Sequence, residues 1–228
     1  MEASDPLHFF DRYELFGSPE DIRSRHRYEA IVACNSELFR GARVLNLYSG
    51  DGRWCMAALD AGAAHVTGVD PSRKAADAAR TTFVGYEIAS QAYDFIVSDI
   101  NAALRTMQPG TFDLVVCARS LELSDPRVVF SQVYRLEAKH IILDMDVSRG
   151  EGPIVRFDVK VRDTSAPKGT QRHGAITATP NHELIAFLCE YYQFDWREID
   201  WQTLSISDWT GAHDYERGRR RTYVLERL

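Results

Sequence analysis

The sequence predicts an α/β protein built on a doubly wound, mainly parallel sheet. Apolar runs centred near residues 44, 66, 95, 114 and 141 recur at roughly 20- to 30-residue intervals, which is typical of strands that alternate with helices. The first run leads into a glycine-containing turn and a helix-like stretch, and the second run ends in Asp70. This order of elements indicates a right-handed βαβ unit at the start of the sheet.

The turn at residues 48–52 predicts a nucleoside site. Gly50 and Gly52 lack the Cβ atoms that would keep a ligand away from the backbone. Asp70 would lie beside this turn, where a carboxylate can accept two hydrogen bonds from a ribose. The third glycine of a dinucleotide motif is absent, and Asp51 places negative charge where a pyrophosphate would bind. The turn therefore favours a cationic nucleoside without a phosphate.

The run from Ala42 to Gly52 resembles motif I of class I S-adenosylmethionine (SAM)-dependent methyltransferases. Asn46 stands where that family usually has an acid, and Tyr48 where it usually has glycine. The resemblance extends from Arg40 to Val147. It includes an adenine-binding strand, a motif IV strand, the segment after it and a fifth strand, at Tyr93–Ile100, Phe112–Ala118, Ser120–Pro126 and Lys139–Asp146. It implies a Rossmann-like, seven-stranded sheet that binds SAM.

The same resemblance implies a set of cofactor contacts. Asp99 would accept a hydrogen bond from the adenine amine, and Ile100 would pack on the adenine ring. The full set of expected SAM-binding residues is Asn46, Tyr48, Ser49, Gly50, Gly52, Asp70, Pro71, Asp99, Ile100 and Cys117.

The amino-terminal residues 1–40 are expected to form a helical cap on a methyltransferase domain spanning residues 41–228. Ser18–Asp21 predicts a helix start, with a serine cap followed by proline and two acids. Three cationic side chains follow on this helix, and they are interpreted either as contacts to the substrate or to the SAM carboxylate, or as a solvated face. They are Arg23, Arg25 and His26.

An insertion at about residues 148–180 is punctuated by glycine and proline. It would lie above the carboxyl ends of the strands, where doubly wound sheets bind ligands. The alternating apolar residues of Ile154–Val161 leave two alternatives, a lid that closes on the substrate or an arm that forms a homodimer. A helix over Thr179–Glu190 and strands over Phe194–Trp201 and Arg221–Arg227 would complete the sheet with the family's antiparallel hairpin.

Methyl transfer to a hydroxyl group requires a base or a metal, because a hydroxyl is a poor nucleophile at neutral pH. The candidate catalytic residues at or beyond the strand ends are Glu122, Asp144 and His173. Asp146 is a candidate substrate contact. It alternates with Asp144, so only one of the two can face the acceptor unless the strand bends. Paired carboxylates with a nearby histidine would suit Mg²⁺, although the ligands themselves are not identified. His140 begins strand five at the opposite end and is interpreted as structural.

Composition indicates a cytoplasmic enzyme. A net charge of −6 argues against a nucleic-acid partner. There is no apolar run of the roughly 18 residues that a membrane span needs, and no amino-terminal signal pattern. The widely spaced cysteines are typical of a reducing compartment. The basic run Arg217–Arg221 is interpreted as a solvated turn, with a clamp for an anionic substrate as the alternative.

A closer, loose resemblance is to actinobacterial small-molecule methyltransferases, a group that includes mannoside O-methyltransferases. It rests on the segments Phe9–Tyr13, Ile22–His26, Asp51–Trp54, Ala57–Ala63 and Asp214–Arg220. It implies methylation of a hydroxyl on a small molecule such as a sugar. The alternative is a noncatalytic, SAM-fold regulatory or partner subunit. Asn46 and Tyr48 favour that alternative, whereas the retained Asp70 and Asp99 favour the enzyme.

Overall fold

The structure is a computed structural model that describes residues 6–17, 21–118, 125–160, 175–204 and 208–228. The strands of the described chain are β1 (Arg43–Leu47), β2 (His65–Asp70), β3 (Tyr93–Val97), β4 (Leu114–Cys117), β5 (His140–Asp146), β6 (Val155–Lys160), β7 (Ala175–Pro180), β8 (Phe194–Glu198) and β9 (Arg220–Arg227). Its α-helices are α1 (Pro6–Arg12), α2 (Ile22–Ile31), α3 (Ser36–Phe39), α4 (Arg53–Asp60), α5 (Arg73–Gly85), α6 (Ile100–Thr106), α7 (Pro126–Arg135), α8 (His182–Tyr191) and α9 (His213–Glu216).

Seven strands form one sheet in the order β3-β2-β1-β4-β5-β9-β8. The first five in this order are parallel, and β9 pairs antiparallel with both β5 and β8. The predicted seven-stranded, doubly wound α/β fold is confirmed. Strand order reverses between β1 and β4, and ligands of such sheets bind at the carboxyl ends of the strands near this switch point.

Residues of β1 alternate between two hydrophobic cores because successive side chains of a strand point to opposite faces. Val44 packs with α4, α5 and the amino-terminal helices, whereas Leu45 and Leu47 pack with α6, α7 and α8. Helices therefore cover both faces, as a mainly parallel sheet requires. Phe9 and Phe10 of α1 are fully buried in the first core, so the amino-terminal helices pack on the sheet.

The start of α2 differs from the predicted serine cap. The residue before the helix is Asp21, whose side chain accepts a hydrogen bond from the Ser24 amide at 3.1 Å. Ser18, Pro19 and Glu20 lie outside the described residues. Aspartate caps a helix as well as serine does, because its oxygen also satisfies an unpaired amide of the first turn.

The carboxy-terminal elements match the predicted helix and two strands, with shifted boundaries. The helix α8 begins at His182, because the Asn181 side chain caps the Leu184 amide at 3.0 Å. The strand β8 ends at Glu198, before the predicted end at Trp201. None of the described helices is long and apolar enough to cross a membrane.

The described part of the insertion forms a separate antiparallel pair, β6 with β7, in which Phe157 lies opposite Ala178. One face carries Phe157 and Ile176, whose exposures are 71% and 66%. The opposite face carries polar side chains, including Arg156 and Asp158. The alternatives of a lid and a dimer arm both stay predictions, since residues 161–174 lie outside the described chain.

Candidate active site

The turn after β1 is bound to the end of β2 through Asp70. One carboxylate oxygen of Asp70 accepts a hydrogen bond from the Gly50 amide at 2.9 Å, and the other accepts from the Ser72 amide at 2.8 Å. The Ser49 amide also donates to the Val69 carbonyl at 3.0 Å. Since each carboxylate oxygen can accept more than one hydrogen bond, Asp70 keeps acceptor capacity for ribose hydroxyls.

The two glycines of this turn have different surroundings. A Cβ atom at Gly50 would meet only the Tyr48 carbonyl, at 4.0 Å, so its backbone is open to a ligand. A Cβ at Gly52 would lie 3.0 Å from Ala79 and 3.1 Å from Phe83. Gly52 therefore allows α4 and α5 to pack closely, and its contact with a ligand stays a prediction.

Tyr48 adopts the left-handed backbone conformation, with a φ of 55°. Glycine adopts this conformation without strain, whereas another L-residue costs about 1–2 kcal/mol. The turn after β1 therefore places tyrosine in a conformation that glycine adopts more readily.

Two buried polar side chains near the turn lack hydrogen-bond partners within the described chain. They are Asn46, which is 1% exposed, and Ser49, which is 3% exposed. Asn46 lies near the Cys55 thiol, whose pKa is raised by burial, but neither atom of its amide makes a good hydrogen bond. Leaving such groups unsatisfied costs about 1–3 kcal/mol each. The carboxylate of Asp70, the open Gly50 and these uncharged oxygens fit a cationic nucleoside such as SAM.

The residues expected around the adenine lie at the ends of β2, β3 and β4. Asp99 is exposed and caps α6 by accepting a hydrogen bond from the Ala102 amide at 3.0 Å. Pro71 is exposed, and Cys117 is 2% exposed. Ile100 is 1% exposed and packs within the second core, which argues against its predicted contact with the adenine ring.

Asp144 lies at the centre of a buried ion cluster near the carboxyl ends of β4 and β5. Its carboxylate is fully buried and accepts hydrogen bonds from two guanidinium groups, of Arg27 at 2.6 Å and Arg220 at 3.2 Å. The Tyr215 hydroxyl donates to it at 2.8 Å, and the Thr222 hydroxyl at 3.2 Å.

These partners argue against the predicted role of Asp144 as a catalytic base. Burial alone would raise its pKa, but Arg27, Arg220 and the Tyr215 hydroxyl together lower the pKa of this carboxyl below its usual value. A carboxylate with a lowered pKa accepts a proton poorly. Because its oxygens already accept from four side chains, Asp144 is a structural anion.

The cationic residues of α2 also hold the fold together. Arg23 forms a bidentate ion pair with Asp214, at 2.5 and 2.6 Å, and donates to the Gly211 carbonyl at 2.6 Å. A ring nitrogen of His26 lies 3.0 Å from the Asp208 carbonyl. These contacts tie α2 to the segment before β9, so the predicted substrate contacts of Arg23 and His26 are not supported. Arg25 is half-buried and stays a prediction.

The sequence did not single out Arg27, and it suggested a solvated turn for Arg220. In the structure Arg220 is 7% exposed and bridges Asp144 to Asp146, whose oxygen lies 2.9 Å from Nη1. Both arginines also donate to the Ala118 carbonyl just after β4. The detectable signal was Asp144 itself, because a carboxylate between Leu143 and Met145 of a buried strand requires a cationic partner.

A polar cleft of about 580 Å³ opens beside the end of β5. It lies between the polar face of the β6–β7 hairpin and the segment that joins α9 to β9, and Asp146 lines it. Asp146 is paired with Arg220, but its side chain keeps 41% exposure. The two neighbouring acids of β5 therefore have different surroundings, since Asp144 is buried and Asp146 faces the cleft.

No group of three or more histidine, cysteine, aspartate or glutamate side chains in the described chain could hold a metal ion. Asp144 and Asp146 are both engaged by arginine, so the predicted Mg²⁺ is not supported. His140 begins β5 at the far end of the sheet, as expected. Glu122 and His173 lie outside the described residues, so their predicted catalytic roles are untested.

A comparison with protein families finds a match in the central region of the chain. Residues 44–139, which run from β1 to the residue before β5, match a family described as a methyltransferase domain. A comparison with curated proteins finds no match.

Solved structures of methyltransferases share the fold of this chain. A SAM-dependent methyltransferase from Mesorhizobium loti is 17% identical, with 87% of this chain and 94% of that chain covered and a TM-score of 0.58. The SAM-bound magnesium protoporphyrin IX methyltransferase of Synechocystis is 16% identical, with coverage of 100% and 99% and a TM-score of 0.58. The 1,6-didemethyltoxoflavin N1-methyltransferase of Burkholderia thailandensis is 14% identical, with coverage of 98% and 87% and a TM-score of 0.60. At these identities the likeness shows the SAM-dependent methyltransferase fold and no acceptor.

Proposed function

We propose that this chain transfers a methyl group from SAM to a hydroxyl group of a small molecule. The observation that carries the proposal is the turn after β1, where Asp70 holds the Gly50 amide while the buried Asn46 and Ser49 side chains lack partners. The family match over residues 44–139 supports the same reading. SAM supplies an activated methyl group on a sulfonium when it is bound.

Different residues of this chain would contact different parts of the cofactor. Asp70 would accept hydrogen bonds from the ribose, and Asp99 from the adenine amine. The unpartnered side chains of Asn46 and Ser49 would accept from the ammonium group of the methionine part. Gly50 would allow the ligand to approach the turn closely, because nothing occupies the space beside its Cα atom.

The proposed acceptor site is the cleft beside β5. Its lining is rich in charged and hydrogen-bonding groups, which suits a polyhydroxylated molecule such as a sugar. The looser resemblance to mannoside O-methyltransferases supports a sugar as well. Glu122, which follows β4 in the sequence, and His173 are the proposed bases. A noncatalytic role is less well supported, because Asp70 is retained and engages the turn through the Gly50 amide.

Calorimetric titration with SAM and with S-adenosylhomocysteine (SAH) tests the cofactor assignment. We expect both to bind, and Asp70→Ala to weaken SAM binding by about 1.5–3 kcal/mol, because a charged hydrogen-bond acceptor is lost. Asp99→Ala should cause a smaller loss. Asp77→Ala is the control, since Asp77 is exposed on α5 and pairs only with Arg80 among the described residues. SAM binding equal to that of the parent in Asp70→Ala would refute the ribose assignment.

Methyl transfer itself is measured as SAH formation with sugars and small phenols as acceptors. Turnover of a hydroxylated acceptor supports the enzyme. Binding of SAM without turnover of any acceptor class would favour the noncatalytic alternative.

A further inference from the structure

The acidic side chains that line the cleft beside β5 are already paired with arginines. The cleft is lined by three acids and three arginines, namely Asp146, Asp158, Asp214, Arg149, Arg156 and Arg219. Each acid already has a cationic partner. Asp146 pairs with Arg220 at 2.9 Å, Asp158 with Arg156 at 3.1 Å, and Asp214 with Arg23 at 2.5 Å.

Arg149 and Arg219 are the cations left over. Neither guanidinium group makes an ion pair or a hydrogen bond within the described chain, and both residues are exposed. Arg219 is nevertheless held at its backbone, because its amide donates to the Asp214 carbonyl at 2.7 Å and its carbonyl accepts from the Val147 amide at 2.8 Å. The backbone of Arg219 is therefore held in place at the wall of the cleft, and its side chain extends from there.

A third group in the cleft also lacks a partner. The Ser148 hydroxyl oxygen is buried and makes no hydrogen bond to another described residue. Ser148 is anchored by its amide, which donates to the Pro180 carbonyl at 2.9 Å. Two guanidinium groups and one hydroxyl around one cavity form a donor set for an anion, because arginine binds carboxylate and phosphate oxygens in a bidentate manner.

We propose that Arg149, Arg219 and Ser148 bind an anionic group of the methyl acceptor, a carboxylate or a phosphate. The inference rests on the proposed function and names the substrate class of that site. The cavity volume of about 580 Å³ suits a small metabolite, since ligand pockets usually measure about 300–1,000 Å³.

The position of the cleft suits this role. In the sheet, β4 separates β5 from β1, so the strand ends that carry the cleft and the cofactor turn lie about 10 Å apart, two strand spacings. An acceptor held by its anion in the cleft can therefore extend a hydroxyl across the end of β4 toward the cofactor turn. The acid nearest that path on β5 is Asp146, which is already paired with Arg220 and so repels an anion less.

Anion binding is tested on the full chain saturated with SAH, by calorimetric titration at low ionic strength with inorganic phosphate and, separately, with acetate. We expect saturable binding of at least one anion, and the tighter of the two identifies phosphate or carboxylate as the recognised group. The double variant R149Q/R219Q should weaken that binding at least tenfold. The matched control is Arg217→Gln, an exposed arginine of the same basic run that does not line the cleft, and it should bind as the parent does.

Failure of this inference can be told apart from failure of the proposed function. If the parent binds SAM but neither anion saturably, or if R149Q/R219Q binds the anion as tightly as the parent, the anionic acceptor is refuted and the methyltransferase proposal stands. If the parent does not bind SAM, the proposed function fails first. Thermal unfolding and SAM affinity of R149Q/R219Q should equal those of the parent, which excludes a folding defect.

Discussion

Replacement of Asp144 by asparagine tests whether the buried ion cluster stabilises the fold. The carboxylate is fully buried and accepts from Arg27, Arg220, Tyr215 and Thr222 at distances between 2.6 and 3.3 Å. Asparagine keeps the shape of the side chain but removes the charge, so two guanidinium groups remain close together. One of them keeps Asp146 as a partner, at 2.9 Å.

The expected loss of unfolding free energy is about 3–5 kcal/mol, the usual cost of breaking a buried ion pair by removal of one partner. The pair of Arg220 with Asp146 should place the result near the lower end. For a chain of 228 residues, each kcal/mol corresponds to about 2–4 °C, so the melting temperature should fall by roughly 6–20 °C.

Thermal and urea-induced unfolding, followed by circular dichroism, measure this change. Asp77→Asn is the matched control, because Asp77 and Arg80 form an exposed pair one helical turn apart and such pairs contribute at most about 1 kcal/mol. A loss below about 1 kcal/mol in Asp144→Asn would refute the reasoning, since it would mean that the cluster contributes no more than a surface pair.

Two further predictions concern Gly68 of β2 and the pKa of Asp144. Gly68→Ala should destabilise the fold by about 1–3 kcal/mol and weaken SAM binding, because its Cβ would lie 2.7 Å from Phe95 and 2.9 Å from Ser49. Gly85→Ala, with open space around the new Cβ, is its control, and equal melting temperatures of the two variants would contradict the steric argument. Acid unfolding should show the lowered pKa of Asp144: its contribution is present above the unfolded-state pKa of about 3.9 and is lost as pH falls through the lower folded-state value. Asp144→Asn should therefore have a flatter acid limb, and an unchanged slope would contradict this.

The parts of the fold that the sequence predicted well depend on local patterns. The βαβ unit, the carboxylate at the end of β2 and the antiparallel carboxy-terminal pair follow from apolar runs and turns separated by a few residues. The glycine-containing turn between β1 and α4 was predicted for the same reason. The packing role of Gly52 was not predicted, because the side chains that need its missing Cβ, Ala79 and Phe83, belong to a helix that begins twenty-one residues later, at Arg73.

The candidate site was harder to predict because its main contacts join distant parts of the chain. Arg27 and Asp144 are 117 residues apart, and Arg220 lies 76 residues beyond Asp144. No local pattern pairs them, and the arginines resemble the cations of a solvated helix and a solvated turn. The expectation that Asp144 and Asp146 face opposite sides of β5 was wrong, because residues two apart on a strand share a face and Arg220 contacts both carboxylates. They differ in depth instead, since Asp144 is fully buried and Asp146, at the end of the strand, is 41% exposed.

The burial of Asp144 accounts for much of the charge arrangement of the site. A carboxylate buried at Asp144 needs cations, and Arg27 and Arg220 provide them from opposite ends of the chain. Arg220 then neutralises Asp146 as well, while Arg23 does the same for Asp214. Because the acids of the cleft are paired in this way, the positive charge that remains there belongs to Arg149 and Arg219. A group that binds to them must therefore bring its own negative charge.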